Sequence, residues 1–259
     1  MPMRERPPHL LLLGGTAEAA ALARALADRF GDRLAVTYSL AGRAAPRARP
    51  PGRLRIGGFA GPEGLAVFLR DEGVRLLVDA THPFAARMSR NAHIACEVTG
   101  TPRLTLRRPE WEPQPGDDWH EVDDVADAAE AAARLGRRAF ITLGTADLAP
   151  FRDRPGFTYV VRMMDPPDDA DDDLPVGAAL VGGRGPFTVD DEDSLMRSHG
   201  VDVLVTKASG GNATRAKLDA ARRLGLPVVL IRRPAPEPGT LVETVDEALE
   251  WIASVARLD

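Results

Sequence analysis

Short apolar runs alternate with segments of helical periodicity along almost the whole chain. The first run, Leu10–Leu13, has only leucine, which is typical of a strand buried on both faces of a sheet. The predicted strands of the first half are Leu10–Leu13, Leu34–Leu40, Leu54–Ile56, Leu76–Ala80 and Leu104–Leu106, and its predicted helices are Ala17–Phe30, Glu63–Glu72 and Ala85–Thr99. This order predicts a parallel sheet covered by helices on both faces.

A second series of strands and helices follows. Its predicted strands are Ala139–Leu143, Tyr159–Met163, Ala178–Val181, Val203–Thr206 and Val228–Ile231, and its predicted helices are Asp190–His199, Asn212–Leu224 and Val245–Ala256. The two series are locally similar, since Gly14–Glu18 returns as Leu143–Asp147, each after an apolar strand. We therefore expect an α/β protein with two Rossmann-like parallel-sheet domains and an active-site cleft between them.

The length of 259 residues suits two such domains. Residues 109–118 are rich in proline and acid, and Val122–Leu135 has the pattern of a linking helix. We expect a first domain over residues 1–137, in which 109–137 form a linker region, and a second domain over residues 138–259. The acidic stretch 165–173 predicts an exposed loop.

The composition argues against several classes of function. A net charge of −5 provides no basic surface for nucleic acid and no polybasic patch for a membrane. Cys96 is the only cysteine, which excludes an intrachain disulfide and a cysteine metal cluster. No His, Cys and acidic residues have metal-ligand spacing, so we expect no metal site. Without a membrane-spanning apolar run or the apolar core of a signal peptide, the chain is expected to be cytoplasmic.

The turn after the first predicted strand is a candidate anion site. Gly14, Gly15 and Thr16 separate that strand from a helix, and glycines let the backbone approach a ligand closely. The N–H groups at the start of the helix favour a phosphate. A tight turn in any α/β protein would have the same pattern.

The end of the second predicted strand favours NADPH over NADH. An Asp or Glu at this point would bind the ribose hydroxyl of NAD. Here Ser39 and Arg43 stand without an acid, and a hydroxyl with a guanidinium suits a 2′-phosphate. The next strand is followed by Gly57, Gly58 and Phe59, where bare backbone can run along the cofactor.

The fourth predicted strand ends in a loop that points toward the reacting end of a dinucleotide. This loop contains Thr81, His82, Pro83 and Phe84, and ligands of open α/β sheets bind beyond the carboxyl ends of the strands. His82 is either a donor of a proton or hydrogen bond, or a helix-capping or structural histidine.

The second half has its own cationic loops. Lys207 at a strand end is followed by Ser209, Gly210 and Gly211, which predict an anion site where a helix opens. Arg184 lies in another glycine-rich loop, and Arg87 and Arg90 add positive charge in the first half. The predicted partner is a small molecule with several carboxylates or phosphates.

At these loops the chain resembles the precorrin-6A reductase family of cobalamin biosynthesis, the CobK and CbiJ proteins. The similar blocks are Leu-Gly-Gly-Thr at 13–16, Ser-Leu-Ala-Gly-Arg at 39–43, Gly-Gly-Phe at 57–59, Asp-Ala-Thr-His-Pro-Phe at 79–84, Arg-Gly-Pro-Phe at 184–187 and Thr-Lys-Ala-Ser-Gly-Gly at 206–211. The resemblance implies hydride transfer from NADPH to a carbon–carbon double bond of the metal-free macrocycle, giving precorrin-6B. Reduction of cobalt-precorrin-6A is an alternative.

The resemblance also implies roles for the candidate residues. Cofactor contacts fall to Gly14, Gly15, Thr16, Ser39, Arg43, Gly57, Gly58, Phe59, Thr81 and Pro83, and contacts with the carboxylate arms of the tetrapyrrole fall to Phe84, Arg87, Arg184, Lys207, Ser209, Gly210 and Gly211. His82, Lys207 and a bound water are the candidate proton donors. Neighbouring enzymes of the pathway are candidate partners.

Two other functions are compatible with parts of the sequence. A non-catalytic NADP sensor would explain the first half, although it leaves the cationic loops of the second half without a role. A reductase of small carbonyl compounds would be favoured by a Tyr-x-x-x-Lys pair, but neither Tyr38 nor Tyr159 has a lysine four residues later.

Overall fold

The structure is a computed structural model that describes residues 6–42, 49–152, 154, 156–163, 174–175, 177–183 and 185–258. The chain divides into two compact units. The first unit contains Met1–Pro109 and Pro234–Asp259, and the second contains Glu110–Arg233.

Strands and helices alternate in the described part of the chain. The strands are β1 (His9–Leu13), β2 (Ala35–Leu40), β3 (Arg53–Ile56), β4 (Val74–Asp79), β5 (Arg103–Leu106), β6 (Trp119–Val122), β7 (Arg138–Ile141), β8 (Thr158–Met163), β9 (Ala179–Gly182), β10 (Val203–Lys207), β11 (Val228–Ile231) and β12 (Thr240–Val242). The α-helices are α1 (Ala17–Phe30), α2 (Gly61–Asp71), α3 (Ala86–Thr99), α4 (Val125–Leu135), α5 (Val189–Ser198), α6 (Ala216–Leu224) and α7 (Val245–Ala256).

The first unit contains a six-stranded parallel sheet in the order β3-β2-β1-β4-β5-β12. This is the 3-2-1-4-5-6 order of dinucleotide-binding folds, which opens a crevice where the strand order reverses, between β1 and β4. Leu13 at the end of β1 is in register with Ser39 on β2 and Asp79 on β4. These positions therefore mark the edge of the sheet where a ligand is expected.

The leucines of β1 divide between two hydrophobic cores. Leu10 and Leu12 pack with residues of α1 and α7, whereas Leu11 and Leu13 pack with residues of α2 and α3. None of the four is more than 2% exposed, and a fully buried leucine contributes about 1.5–3 kcal/mol to stability. Helices on both faces thus explain why this strand has no polar position.

The second unit repeats the same sheet topology. Its six parallel strands have the order β9-β8-β7-β10-β11-β6. Counted from β7, the first five follow the order 3-2-1-4-5, and the sixth position is taken by β6, which precedes β7 in the chain. Phe140 on β7 and Leu204 on β10 pack with Met196 of α5 and Leu218 of α6. Two parallel sheets with helices confirm the predicted α/β fold class.

The division into units differs from the predicted one. Residues 109–137 do not form a linker, because β6 and α4 complete the second sheet. Likewise β12 and α7 lie in the first unit, although residues 138–259 were assigned to a second domain. After β5 the chain enters the sixth position of the second sheet, and after β11 it returns to the sixth position of the first. Both edge strands are only three or four residues long and have exposed or half-buried positions, so they lack a clear apolar pattern.

In the described part of the chain, no helix is both long enough and apolar enough to cross a membrane.

Candidate active site

The glycine turn after β1 is closed by a tyrosine from β2. A Cβ at Gly14 would lie 2.3 Å from Cζ of Tyr38, and the N–H of Gly15 donates to the Tyr38 hydroxyl at 3.3 Å. Gly15 has a φ of +112°, which other residues rarely adopt. The neighbouring ring therefore requires glycine at 14, and the backbone conformation requires it at 15. Burial raises the pKa of the Tyr38 phenol.

Thr16 connects this turn to β4. Its hydroxyl accepts from the N–H of Ala19 at 3.1 Å, as the N-cap of α1, and donates to the carbonyl of Ala80 at 2.8 Å. The start of α1 thus lies at the crevice beside β4, where the N–H groups of its first turn suit a phosphate. Glu18 in that turn pairs with Arg108 at 3.1 Å, which offsets a negative charge close to the anion site.

The end of β2 carries Ser39, one of the two residues predicted to favour NADPH over NADH. Ser39 is 5% exposed, and its carbonyl accepts from the N–H of Gly14 at 2.9 Å. Arg43 lies outside the described residues, so its contact with a 2′-phosphate stays a prediction.

Arg55 holds the loop after β3. Its guanidinium donates to the carbonyls of Gly57 at 2.5 Å and Gly58 at 2.7 Å, and its Cζ lies 3.7 Å from the centroid of the Phe59 ring. Burial, with a smaller effect of the charge on Arg53, lowers the pKa of Arg55. A Cβ at Gly57 or Gly58 would meet no atom within 4 Å, so the loop leaves open space for a ligand. Arg55 was not among the predicted site residues, because its only signal in the sequence is a cation inside a short strand.

Asp79 organises the loop after β4. Its Oδ1 accepts from the N–H of Thr81 at 3.1 Å and from the Thr81 hydroxyl at 2.7 Å. Asp79 is 2% exposed, and its Oδ2 is buried without a hydrogen-bond partner. Buried polar atoms are nearly always paired, so this oxygen calls for a partner such as a water or a bound ligand. Asp79 was quoted in the sequence motif but was not assigned a role.

His82 stabilises the turn that leads to α3. Its Nδ1 accepts from the N–H of Phe84 at 3.3 Å and its carbonyl accepts from the N–H of Ala85 at 2.7 Å. An accepting Nδ1 places the proton of the neutral ring on Nε2. His82 is exposed, and the N-cap of α3 is Ala85, so the helix-capping alternative is wrong. The ring keeps a structural contact and a donor nitrogen.

A cavity within the first unit lies beside these residues. Its lining includes Asp79, Thr81, His82, Ser89 and Thr105. Pro83 also lines this cavity, while Arg87 and Arg90 are exposed on α3. The glycine turn, Ser39, the loop after β3 and the loop after β4 all lie at the carboxyl edge of the first sheet.

The corresponding edge of the second sheet carries an ion pair. Nζ of Lys207, at the end of β10, lies 2.6 Å from Oδ2 of Asp147. The two side chains are 22% and 27% exposed. Asp147 comes from the segment that echoes Gly14–Glu18 and was missed as a site residue, because only the fold brings it to Lys207.

The loop after Lys207 differs from the expected helix start. Gly210 and Gly211 have φ values of +63° and +70°, and α6 begins only at Ala216 rather than at Asn212. The carbonyl of Gly211 accepts from the indole N–H of Trp111 at 2.6 Å. Ser209 is 5% exposed and its hydroxyl lies 3.4 Å from that of Thr214. The anion site would thus use a glycine loop, not a helix N-terminus.

Arg184 and Cys96 remain to be placed. Arg184 lies outside the described residues, so its contact with substrate stays a prediction. Cys96 is buried, and burial raises the pKa of its thiol to about 12, which leaves it protonated and unreactive at neutral pH. In the part of the chain that the structure describes, no three His, Cys, Asp or Glu side chains group as metal ligands.

The first unit defines a Rossmann-like fold whose crevice carries a glycine turn, and the second repeats that fold with a cationic edge. A family model described as "Precorrin-6x reductase CbiJ/CobK" matches residues 9–253. The chain belongs to this family of reductases.

Named relatives agree with this assignment. The precorrin-6A reductase of Rhodococcus erythropolis is 50% identical over 252 residues, covering 96% of this chain and 99% of the relative. A cobalt-precorrin-6A reductase of Priestia megaterium is 30% identical over 256 residues, covering 96% and 99%. A solved structure of "CobK precorrin-6A reductase" superposes with a TM-score of 0.87 at 42% identity, covering 96% of this chain and 97% of that one.

Proposed function

We propose that this chain is an NADPH-dependent precorrin-6A reductase of cobalamin biosynthesis, which reduces a carbon–carbon double bond of the macrocycle and gives precorrin-6B. The observation that carries the proposal is the glycine turn at the reversal point of a 3-2-1-4-5-6 sheet, within a chain of the CbiJ/CobK reductase family. Such a crevice is where a dinucleotide binds.

The residues at this crevice fit a dinucleotide phosphate. The first turn of α1 presents N–H groups, the charge of Glu18 is paired with Arg108, and the loop at Gly57 and Gly58 leaves open space. NADPH rather than NADH is supported by Ser39 at the end of β2, where NAD-binding folds carry an acid. Arg43 follows in the sequence as the proposed partner of the 2′-phosphate.

The first unit would hold the cofactor and align it. Gly14, Gly15 and Thr16 would face the pyrophosphate, and Phe59 would lie near the adenosine half. Thr81, which Asp79 fixes through two hydrogen bonds, and Pro83 would border the reacting end. When bound, NADPH supplies the hydride, and the residues around it orient the ring and exclude water.

The second unit would bind the substrate. Lys207, Ser209, Gly210 and Gly211 would bind acetate or propionate arms, with further contacts from Arg87, Arg184 and Phe84. The reaction also needs a proton on the neighbouring carbon. His82 through Nε2, Lys207 through its ammonium and a bound water are the candidates, and the ion pair with Asp147 holds the Lys207 ammonium in place. The active-site cleft between the halves stays a prediction.

The metal-free macrocycle is the proposed substrate. The precorrin-6A reductase of Rhodococcus erythropolis is 50% identical to this chain, compared with 30% for the cobalt-precorrin-6A reductase of Priestia megaterium. A cytoplasmic location and an association with neighbouring pathway enzymes also stay predictions.

An anaerobic assay with metal-free precorrin-6A tests the proposal. We expect NADPH absorbance to fall together with the conjugation of the macrocycle, with little response to NADH. Equal rates with both cofactors would overturn the 2′-phosphate assignment. Tight binding of NADPH without turnover would overturn this substrate and favour cobalt-precorrin-6A or an NADP sensor, which a parallel assay with the cobalt substrate separates.

A further inference from the structure

A half-buried arginine lies at the carboxyl end of β3. Arg55 is in register with Ser39 on β2, so the two side chains point to the same face of the sheet from strands about 4.8 Å apart. The N–H of Gly57 donates to the carbonyl of Leu40 at 2.9 Å, which joins the loops after the two strands. Arg55 therefore lies beside the strand end where the ribose of an adenosine is expected.

No carboxylate among the described residues neutralises this guanidinium. It donates to the carbonyls of Gly57 and Gly58 and stacks on the ring of Phe59, and all three partners are uncharged. Burial and the charge of Arg53 lower the pKa of Arg55, because both disfavour the charged form of the side chain. The surroundings of Arg55 therefore favour a bound anion.

Arg53 precedes Arg55 on the same strand and face and has the partner that Arg55 lacks. Its guanidinium donates to both carboxylate oxygens of Glu72, at 2.6 and 3.3 Å, and the hydrogen bond with Glu72 raises the pKa of Arg53. Within the described residues, the strand thus has an ion pair at its amino end and an arginine without a carboxylate at its carboxyl end. This difference indicates that Arg55 is available to a ligand.

Arg55 has donors that the described residues do not use. Of the five N–H groups of a guanidinium, two donate to the loop carbonyls, and none of the described residues accepts from the other three. A Cβ at Gly57 or Gly58 would meet no atom within 4 Å, so there is space along this loop. The two carbonyls and the Phe59 ring already hold the guanidinium plane in place, which lowers the cost of ordering it on binding.

A phosphate monoester is the ligand that suits such a group. A planar guanidinium donates two parallel N–H groups to phosphate oxygens. The pyrophosphate is expected at the glycine turn after β1, and β3 lies two strands away from β1 in the sheet, which is about 10 Å at the usual strand spacing. The remaining phosphate of NADPH, on the 2′ oxygen of the adenosine ribose, is the anion that NADH lacks.

We infer that Arg55 binds the 2′-phosphate of NADPH and is a specificity-determining residue of the cofactor site. This inference rests on the proposed function, to which it adds a described cation next to Ser39. Arg55 discriminates against NADH because that cofactor leaves the three N–H groups without an anion. Its hydrogen bonds to the loop carbonyls position the guanidinium and are the same with either cofactor.

The test compares the full chain with variants at both arginines of β3. Arg55→Met removes the charge and the N–H groups but keeps an unbranched stem, and Arg55→Lys keeps the charge but loses the planar fork. Arg53→Met, on the same strand and face, is the matched control. The unfolding midpoint of each protein is measured first, and if Arg55→Met fails to fold, Arg55→Lys provides the same comparison.

Calorimetry without substrate then measures the Kd of four ligands, which are NADPH, NADH, adenosine 2′,5′-bisphosphate and 5′-AMP. The last two differ only in the 2′-phosphate. We expect the Kd of NADPH and of the bisphosphate to rise about 10- to 100-fold in Arg55→Met, as for a lost charged hydrogen bond, and less in Arg55→Lys. The Kd of NADH and of 5′-AMP should change much less. Arg53→Met should bind all four ligands like wild type, because an exposed ion pair contributes little.

The contrary results separate this inference from the proposed function. A preference for NADPH that stays the same in Arg55→Met and Arg55→Lys would overturn the inference and leave the proposed function intact. An equal rise in the Kd of NADPH and NADH would also overturn it, because Arg55 would then act only by holding the loop. Equal Kd values for the two cofactors in the wild type would overturn the 2′-phosphate assignment of the proposed function, and this inference with it.

Discussion

The two units share a sheet topology but differ at the positions where ligands bind. In the first unit, β1 leads through Gly14 and Gly15 into a helix of 14 residues. In the second, β7 leads through Gly144 into 3-10 helices at Thr145–Asp147 and Ala149–Phe151. A long helix offers the aligned N–H groups and dipole that favour phosphate, whereas short 3-10 helices offer a much weaker dipole. Of the two turns, the one in the first unit therefore fits the proposed dinucleotide better.

The corresponding acids of the two units also have different partners. Glu18 on α1 pairs with Arg108, so its charge is neutralised beside the expected phosphate site. Asp147, its counterpart in the second unit, pairs with Lys207 at 2.6 Å and orients an ammonium. The two anion sites that we propose thus share one fold and differ in a few side chains at the strand ends.

The largest effect is expected from Lys207→Met in the second unit. Loss of a charged contact with a substrate carboxylate costs about 1.5–3 kcal/mol, which lowers kcat/KM for precorrin-6A about 10- to 100-fold. The Kd of NADPH should not change, because the proposed cofactor site lies in the first unit. Arg134→Met, at an exposed arginine of α4, is the control. A fall in kcat with an unchanged KM would instead identify Lys207 as the proton donor.

Arg43→Ala tests the cofactor preference of the first unit. We expect NADPH binding to weaken by about 1–3 kcal/mol, the scale of a lost charged hydrogen bond, while NADH binding stays as it is. Fluorescence titration of both cofactors measures the difference. Equal weakening of the two would place Arg43 away from the 2′-phosphate.

Gly14→Ala and Gly144→Ala compare the two strand-to-helix turns directly. A Cβ at Gly14 would lie 2.3 Å from the Tyr38 ring, so we expect a loss of about 1–3 kcal/mol in unfolding free energy, as for an overpacked core. At Gly144 the φ is −77° and the nearest atom to a new Cβ is 3.8 Å away, so the change should stay within about 0.5 kcal/mol. Urea unfolding with an NADPH titration measures both. Similar losses in the two variants would contradict the assigned cause.

Tyr38→Phe sharpens the same comparison at a single atom. The substitution leaves the N–H of Gly15 without the acceptor that it has at 3.3 Å. We expect the Kd of NADPH to change by no more than about 1 kcal/mol, the net value of one hydrogen bond. Tyr159 is the buried tyrosine of the second unit, and Tyr159→Phe serves as the control that leaves NADPH binding unchanged. If Tyr159→Phe weakened NADPH binding more than Tyr38→Phe does, the assignment of the cofactor site to the first unit would be contradicted.

The smallest expected effect is that of Cys96, a thiol in the first unit, on the pH dependence of the unfolding free energy. Burial raises the pKa of Cys96 from 9.0 to about 12, so the folded chain keeps a proton that the unfolded chain releases. Stability from this group is complete below pH 9 and is lost as the pH rises toward about 12. Burial also raises the pKa of Tyr38 and Tyr159 from 10.0, so both tyrosines add to the loss of stability at alkaline pH, and the difference between wild type and Cys96→Ala isolates the thiol. In Cys96→Ala, the fall of unfolding free energy between pH 9 and 10 should be smaller than in wild type by at most about 1 kcal/mol, and an unchanged fall would contradict the assignment.

Sequence patterns predicted the central strands of both sheets well. The leucines of β1 and the apolar run of β11 are buried on both faces, and such strands have an unmistakable composition. The predicted bounds of α1, β11 and α7 agree with the structure. The short edge strands β6 and β12 gave no such pattern and were missed.

A repeated sequence pattern, which was overlooked, indicates the exchange of edge strands. Leu106-Arg107-Arg108-Pro109 after β5 returns as Ile231-Arg232-Arg233-Pro234 after β11, and Val122–Glu130 is similar to Val242–Glu250. Two matching segments after equivalent strands indicate equivalent positions in the two sheets. The pattern does not say which sheet each segment joins, because that depends on which edge is uncovered.

Contacts between residues that are distant in the sequence could not be predicted from it. The sequence does not show that the Tyr38 ring lies where a Cβ of residue 14 would be. Asp147 was passed over because only the approach of β7 to β10 brings it to Lys207. The guanidinium of Arg162 on β8 donates to the carboxylate of Glu192 on α5. The two residues are 30 positions apart in the sequence, so no local spacing connects them.

The exchange of the sixth strands also determines when each unit can be finished on the ribosome. Residues 240–256 supply β12 and α7, and Ile252 of α7 is fully buried in the core of the first unit. These residues are synthesised after the whole of Glu110–Arg233. Multidomain chains usually fold from the N-terminus as they emerge. Here the unit that emerges first must wait, and the second can close around its own contiguous chain before the first is complete.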